Sequence, residues 1–280
     1  MQQYIDALKY ILEKGALKHD RTRTGTKAVF GMQFRYAMKD GFPLVTTKKM
    51  PWKSIASELL WFIEGSSDER RLAELLHGTR DPEKQTIWTL NANADYWKPK
   101  AKFPGDLGRI YGVQWRYWRS PEGEIDQLGN AIELIKKDPA SRRIIVNAWN
   151  PSELDQMALP PCHTFFHFFV AHGKLSLQMY QRSCDMLLGV PFNIASYSLL
   201  LHMVAQVTGL KPGEFVHTLG DAHIYQNHFE QVREQLSREP FPLPSLWLNP
   251  SVKSIDDFKM DDIRIDNYQS HPAIKAPMAV

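Results

Sequence analysis

A chain of 280 residues with 34 Lys and Arg against 31 Asp and Glu carries a formal charge of only +3, so its total charge demands no polyanion-binding surface. Its 43% hydrophobic and 23% charged residues exclude a disordered or a membrane-embedded chain, and the length suits one large core. Two cysteines, with no C-x-x-C and no H-E-x-x-H motif, argue against a zinc site, and the charge that interrupts MQQYIDALKYILEKG differs from a signal peptide, so a reducing cytoplasm is expected.

Residues 2–14 read as an amphipathic helix through Tyr4, Leu8, Ile11 and Leu12, stopped by Gly15. Arg21 to Gly25 is a polar loop, and Ala28, Phe30, Met32 and Phe34 alternate as a strand. Lys39 to Gly41 makes a turn before a second short strand at Leu44 to Thr46. A helix over 52–64 puts Ile55, Leu59 and Phe62 on one face, and Glu58 falls on that same apolar face. Burial there would raise a carboxyl toward the range of a general acid or base; a glutamate so placed can equally pair with a buried arginine or reach out along the helix. A short helix at 68–77 follows. The pattern then dissolves until about Gly108, in a variable loop or small subdomain at about 71–104. Tyr111 to Trp118 is strongly aromatic, and 126–137 is a helix through Leu128, Ile132 and Ile135. Ile144, Val146 and Ala148 alternate as a strand with Arg142 and Arg143 at its mouth.

The stretch from Leu159 to Leu201 gathers polar groups that packing does not explain. Thr164 to Val170 and Lys174 to Tyr180 read as strands joined by a turn at Ala171, His172 and Gly173. Gly189 and Pro191 break the chain, and Asn193 starts an apolar helix from Ile194 to Val207. Hairpin geometry brings Cys162, at the start of one strand, to Gln181, Arg182, Ser183 and Asp185, at the end of the other. A cysteine attacks as its thiolate, and a free thiol with a pKa of roughly 8.5 needs a nearby cation, which Arg182 could supply. An inert buried thiol is the commoner case and is assigned to Cys184; its polar company points Cys162 toward a nucleophile. Glu214 to Leu219 reads as a strand and 221–237 as a helix, with His223 and Tyr225 before its regular part. The tail from Ile274 to Val280 is apolar. The arginines cluster at Arg21 with Arg23, at Arg142 with Arg143, and at Arg182. Such forks suit a phosphate monoester, with solvated turns and surface ion pairs as the plain alternative.

The runs DRTRTGT, TTKKMPWKSIASELLWF, SRRIIVNAWNP, PPCH, QRSCD, GVPFNIASY, GDAHIYQNH, REPFPLP and HPAIKAPMAV, in that order, resemble the thymidylate synthase family over essentially the whole chain apart from about 71 to 104. The resemblance implies an α/β fold, one domain over 1–280, with a large mixed β-sheet flanked by helices and a sheet-to-sheet homodimer. It implies reductive methylation of dUMP to dTMP with 5,10-methylenetetrahydrofolate and no metal, with Cys162 adding to C6 of the base and Glu58 managing proton transfers through water. By the same resemblance Arg21, Arg182, Ser183, Asp185, Asn193, His223 and Tyr225 bind dUMP, while Arg142 and Arg143 cross to the other subunit's phosphate. Lys48, Ile87, Trp88, Asp185, Leu188, Gly189, Phe192 and Ala279 serve the folate, and Tyr111, His163, Gln181 and Val280 complete the site.

Lys48 and Arg21 otherwise read only as exposed basic residues. The Asn193 amide offers a donor and an acceptor to the N3–H and O4 edge of uracil, where an aspartate would better suit cytosine; it also fits a plain helix N-cap. Thr89, Leu90 and Asn91 replace the acidic and aromatic residues that usually follow Trp88, and His167 stands where relatives often carry Gln. The alternatives are a deoxyuridylate hydroxymethylase of the same fold, in which water replaces the final hydride, and a nucleic-acid-binding module.

Overall fold

A computed structural model describes residues 1–19 and 24–277 of the chain. Helix α1 (Gln2–Lys14) buries Tyr4, Ala7, Leu8 and Ile11 as one stripe. Then come β1 (Ala16–Lys18), β2 (Thr26–Ala37), α2 (Trp52–Ile63), α3 (Glu69–His77), the single turn α4 (Thr89–Ala92), α5 (Tyr111–Arg116), the hairpin β3 (Trp118–Ser120) and β4 (Gly123–Ile125), α6 (Gln127–Lys137) and β5 (Ile145–Asn147). The second half holds β6 (His163–Ala171), β7 (Lys174–Asp185), α7 (Gly189–Val207), β8 (Lys211–Tyr225), α8 (Phe229–Leu236), and the pair β9 (Ser245–Leu248) and β10 (Ile263–Asp266).

Six strands lie side by side in the order β1, β2, β8, β7, β6, β5. All neighbours are antiparallel except β7 and β8, which run parallel across the long connection through α7, so the sheet is mixed. One face carries the core, where Phe166, Phe168, Leu177, Met179, Phe215 and Leu219 are buried. Helix α7 has the length and apolarity of a membrane span, but 89% of that window is buried inside the molecule, which makes it the core helix. The opposite face is open. There Phe165 stacks on Tyr180, Gln33 and Gln178 both donate to Thr218 Oγ1, and Arg35 pairs with Glu214. His167 lies half-buried on this face, opposite Ile145 and Gln178.

Several expected boundaries are corrected. Leu44 to Thr46 forms no strand: it is an irregular buried segment whose Thr46 hydroxyl donates to the Phe241 carbonyl and accepts from the Phe241 N–H. Gly189 and Pro191 do not break the chain, because α7 begins at Gly189 and a proline in the first turn lacks an N–H that would have no helical partner there. Asn193 is therefore inside the helix and caps nothing. Residues 221–225 continue β8 rather than starting a helix, and α8 begins only at Phe229. The aromatic run after Tyr111 is a short helix. The segment before it is nearly free of regular structure but is pinned: the Trp97 indole donates to the Asp106 carbonyl, and the buried Asp106 carboxylate accepts from Ser67, Lys102 and Gly108.

Candidate active site

The register of β6 and β7 pairs His163 with Gln181, and the Arg182 N–H donates to the Cys162 carbonyl at 2.8 Å. Parallel pairing then sets Ser183 beside Asp221 and Asp185 beside His223, so the ends of three strands converge. Over them opens a cleft of about 310 Å³, lined by Cys162, His163, Gln181, Ser183, Asp185, His223 and Tyr225 from this floor. The first turns of α7 add Leu188, Gly189, Phe192 and Asn193, and the opposite wall comes from Glu58, Ile87, Trp88 and Tyr111.

These are most of the residues the sequence singles out. Arg182, Arg142, Arg143 and Lys48 do not line the cleft, and Arg21, Ala279 and Val280 lie outside the described residues. Lys48 is also not the exposed base expected: it is 5% exposed, its ammonium donates to the Leu187 carbonyl, and burial lowers its pKa to about 8. Sequence reasoning missed Phe62, Leu90, Asn91, Tyr96 and Leu159 as lining residues. Tyr96 comes from a segment without periodicity, and its hydroxyl reaches the Ala158 carbonyl at 2.8 Å.

Glu58 sits on the buried side of α2, 7% exposed. Burial pushes its carboxyl up to about 7, against the opposing pull of the Trp88 indole N–H, which donates to Glu58 Oε1 at 2.7 Å. The group is thus poised to take or give a proton near neutrality.

Cys162 behaves less simply than expected. Burial raises its pKa, and the Arg182 charge, then hydrogen bonds from Tyr111 and Ser183, only partly offset this, so the resting group is a thiol. The guanidinium of Arg182 donates to the carbonyls of Pro161 and Pro160 at 2.8 and 3.0 Å and lies over Trp149, which fixes the segment that carries the cysteine. Cys184 is fully buried, its thiol donates to the Gln181 carbonyl, and burial pushes its pKa far up, as suits an inert group.

The remaining polar groups are held in fixed states. His163 stacks on Tyr111, its Nδ1 lies 2.6 Å from the Tyr197 hydroxyl, and burial drops its pKa to about 3, so the ring is neutral. The Tyr111 hydroxyl accepts from the Cys162 N–H at 2.7 Å. His217, missed by the sequence, is equally neutral at about 3 and lies against Gln181 Oε1, leaving the Gln181 amide to donate to the Ser183 carbonyl. Asp185 Oδ1 accepts from the N–H groups of Leu187 and Leu188 in the turn that enters α7. The Asn193 side chain makes no hydrogen bond among the described residues, so both ends of its amide are open to the cleft. Among the described residues no cluster of three His, Cys, Asp or Glu is placed to hold a metal.

A partly buried thiol, a carboxyl in the neutral range and an amide without a partner among the described residues thus line one cleft. The family model for thymidylate synthase matches residues 2–280. This chain belongs to the thymidylate synthase family. Membership makes it a methyltransferase enzyme of nucleotide biosynthesis, in a family that uses methylenetetrahydrofolate as co-substrate and also includes related hydroxymethylases. Ile87, Trp88, Leu188 and Phe192 give the cleft an apolar wall, and Asp185 and the Asn193 amide supply directional polar groups.

Proposed function

We propose that this protein converts dUMP to dTMP, with 5,10-methylenetetrahydrofolate as its second substrate and dihydrofolate as the second product. The observation that carries this is the meeting in one cleft of the Cys162 thiol, the Glu58 carboxyl at about 7 and the open amide of Asn193. C5 of a uracil is too weakly nucleophilic to take up a carbon directly. Addition of Cys162 Sγ to C6 makes an enolate and activates C5, dividing one high barrier into lower ones. Proton loss from the thiol is favoured by Arg182, Tyr111 and Ser183 and resisted by burial. Asn193 holds the N3–H and O4 edge of the base, and Glu58 relays protons through water beside it. His223 and Tyr225 face the sugar, and Arg21 with Arg182 receives the phosphate. When bound, the folate supplies the one-carbon unit and the hydride.

The phosphate site is completed by Arg142 and Arg143 of the partner subunit in a homodimer joined through the open sheet face. Two observations support this: both arginines are exposed and neither lines its own chain's cleft. The two free thiols suit a reducing cytoplasm.

The hydroxymethylase reading has one observation in its favour. Leu90, nearly half exposed, and the polar Asn91 line the cleft mouth beyond Trp88, where water would have to be excluded before hydride arrives. Incubating the protein with dUMP and methylenetetrahydrofolate, then determining nucleotide mass and folate oxidation state, separates the two. Dihydrofolate with dTMP is the expected result. Tetrahydrofolate with the 5-hydroxymethyl nucleotide means hydroxymethyl transfer instead, and no product from dUMP removes both.

A further inference from the structure

Glu69, the first residue of α3, is a carboxylate in the core: it is 2% exposed and lies outside the cleft. Such a group needs several hydrogen bonds to be tolerated. Arg70 supplies two, from Nε to Oε2 and from Nη2 to Oε1, each at 2.6 Å. The other partners are Thr86 and Thr89, whose hydroxyls both donate to Oε1 at 2.6 Å. These two threonines bracket Trp88. The Thr86 hydroxyl also accepts the Trp88 backbone N–H at 3.1 Å, and the Thr89 hydroxyl accepts the Thr86 N–H at 2.8 Å. One carboxylate oxygen therefore fixes the turn on both sides of the indole that donates to Glu58.

The turn's other hydrogen bonds are local, among them Ala92 N–H to the Trp88 carbonyl at 3.0 Å and Thr89 N–H to the Thr86 carbonyl at 3.3 Å. Helix α4 is a single turn without a side-chain cap, in a segment poor in regular structure. The indole ring is buried against Phe62 and Tyr111 edge-on and against Trp61 at a tilt, apolar contacts that offer its N–H no acceptor. Around Glu58, the titratable groups are Tyr111 from α5 and Tyr197 from α7, both of which feel its charge, with His163 neutral beside them. The Trp88 N–H is the interaction that opposes the burial of Glu58.

We propose that Glu69 is a positioning residue that, through Thr86 and Thr89, holds the Trp88 indole on Glu58 and so sets the proton affinity of the catalytic carboxyl. This rests on the methyl-transfer reading of the cleft for its kinetic consequence, but not for its physical one. Thr89→Asp sets a second carboxylate against a buried one and opens the clamp. Glu69→Gln, added to it, removes the repulsion and restores a donor. Thr89→Ser keeps the hydroxyl throughout.

The test follows the Glu58 carboxyl by carbon-13 NMR titration, which needs no turnover, alongside kcat and KM for dUMP. In Thr89→Asp the Glu58 titration moves upward by about one pH unit and kcat falls about tenfold, with KM for dUMP little changed. The Thr89→Asp/Glu69→Gln pair brings both back toward the unmodified enzyme, and Thr89→Ser leaves both in place. A Glu58 titration unmoved in Thr89→Asp, or effects of the two substitutions that simply add, would overturn the clamp. Failure of the reaction reading looks different: the unmodified protein then forms no dTMP, while the NMR titrations still decide the clamp.

Discussion

Glu58 shows how one side chain can carry a cost that the whole fold feels. Its pKa stands at about 7 in the folded chain, above the ordinary glutamate value of 4.5 that applies once it is unfolded. The folded state therefore holds this proton more tightly, so stability is greatest below the ordinary value and is lost as pH rises through about 7. The difference amounts to about 3 kcal/mol. His163, His202 and His217, held neutral by burial with pKa values of about 3 to 4, act with the opposite sign over an overlapping range. The contribution of Glu58 is isolated by comparison with Glu58→Gln: in urea unfolding at pH 4.5 and pH 8, the native chain should lose about 3 kcal/mol more than the variant between the two. Equal losses would mean that the carboxyl is not desolvated. At Cys162 the expectation concerns chemistry. Cys162→Ser removes the only sulfur that lines the cleft among the described residues and should abolish turnover, while calorimetry should show dUMP binding largely kept, because Asn193, His223 and Tyr225 are untouched. Residual activity at the native rate would assign the attack to another group.

At the scale of elements, what was legible in the sequence followed period and chemistry, and what was not depended on distant partners. The alternation of β6 and β7 gave the hairpin, and the hairpin gave the pairing of Cys162 with the end of β7. The strand expected to end at Leu219 instead runs through Gly220 to Tyr225. In the fold Gly220 lets β8 pass close to β7, where a Cβ would stand 2.8 Å from the Tyr180 hydroxyl and 3.1 Å from the Arg182 carbonyl. The burial of Lys48 and Glu69 was invisible for a related reason: their partners, Leu187 for one and Thr86 and Thr89 for the other, are set by the tertiary fold. Gly112 shows the same dependence. It lies where α5 crosses α2, and a Cβ there would fall 2.3 Å from the Phe62 carbonyl oxygen and 2.7 Å from its Cα, backbone atoms that cannot rotate away. Gly112→Ala should therefore cost about 1–3 kcal/mol in urea unfolding. It should also lower kcat by separating Tyr111 from Cys162, and unchanged stability would mean that the two helices have slack between them.

For the whole molecule, the sheet has one face under α7 and one with no cover of its own. Phe165, Phe169 and Ile145 are exposed together on β5 and β6, and Phe169 keeps 64% of its surface accessible, a grouping of apolar side chains of the kind that marks an interaction face. In the proposed homodimer a second copy covers this face, and Arg142 and Arg143 of each subunit serve the other's cleft. Sedimentation equilibrium should accordingly give twice the 32.3 kDa chain mass, and Phe169→Glu should bring the mass down to that of one chain. Sharing of sites can be tested by mixing two inactive homodimers, one carrying Cys162→Ser and the other Arg142→Ala with Arg143→Ala. In a hybrid dimer, the subunit with the intact cysteine faces the partner with intact arginines, so one of its two sites is complete. Random exchange makes half the dimers hybrids, and about a quarter of native activity should return on mixing. Arginines that served their own chain's cleft would leave every site in the mixture defective, and no activity would return.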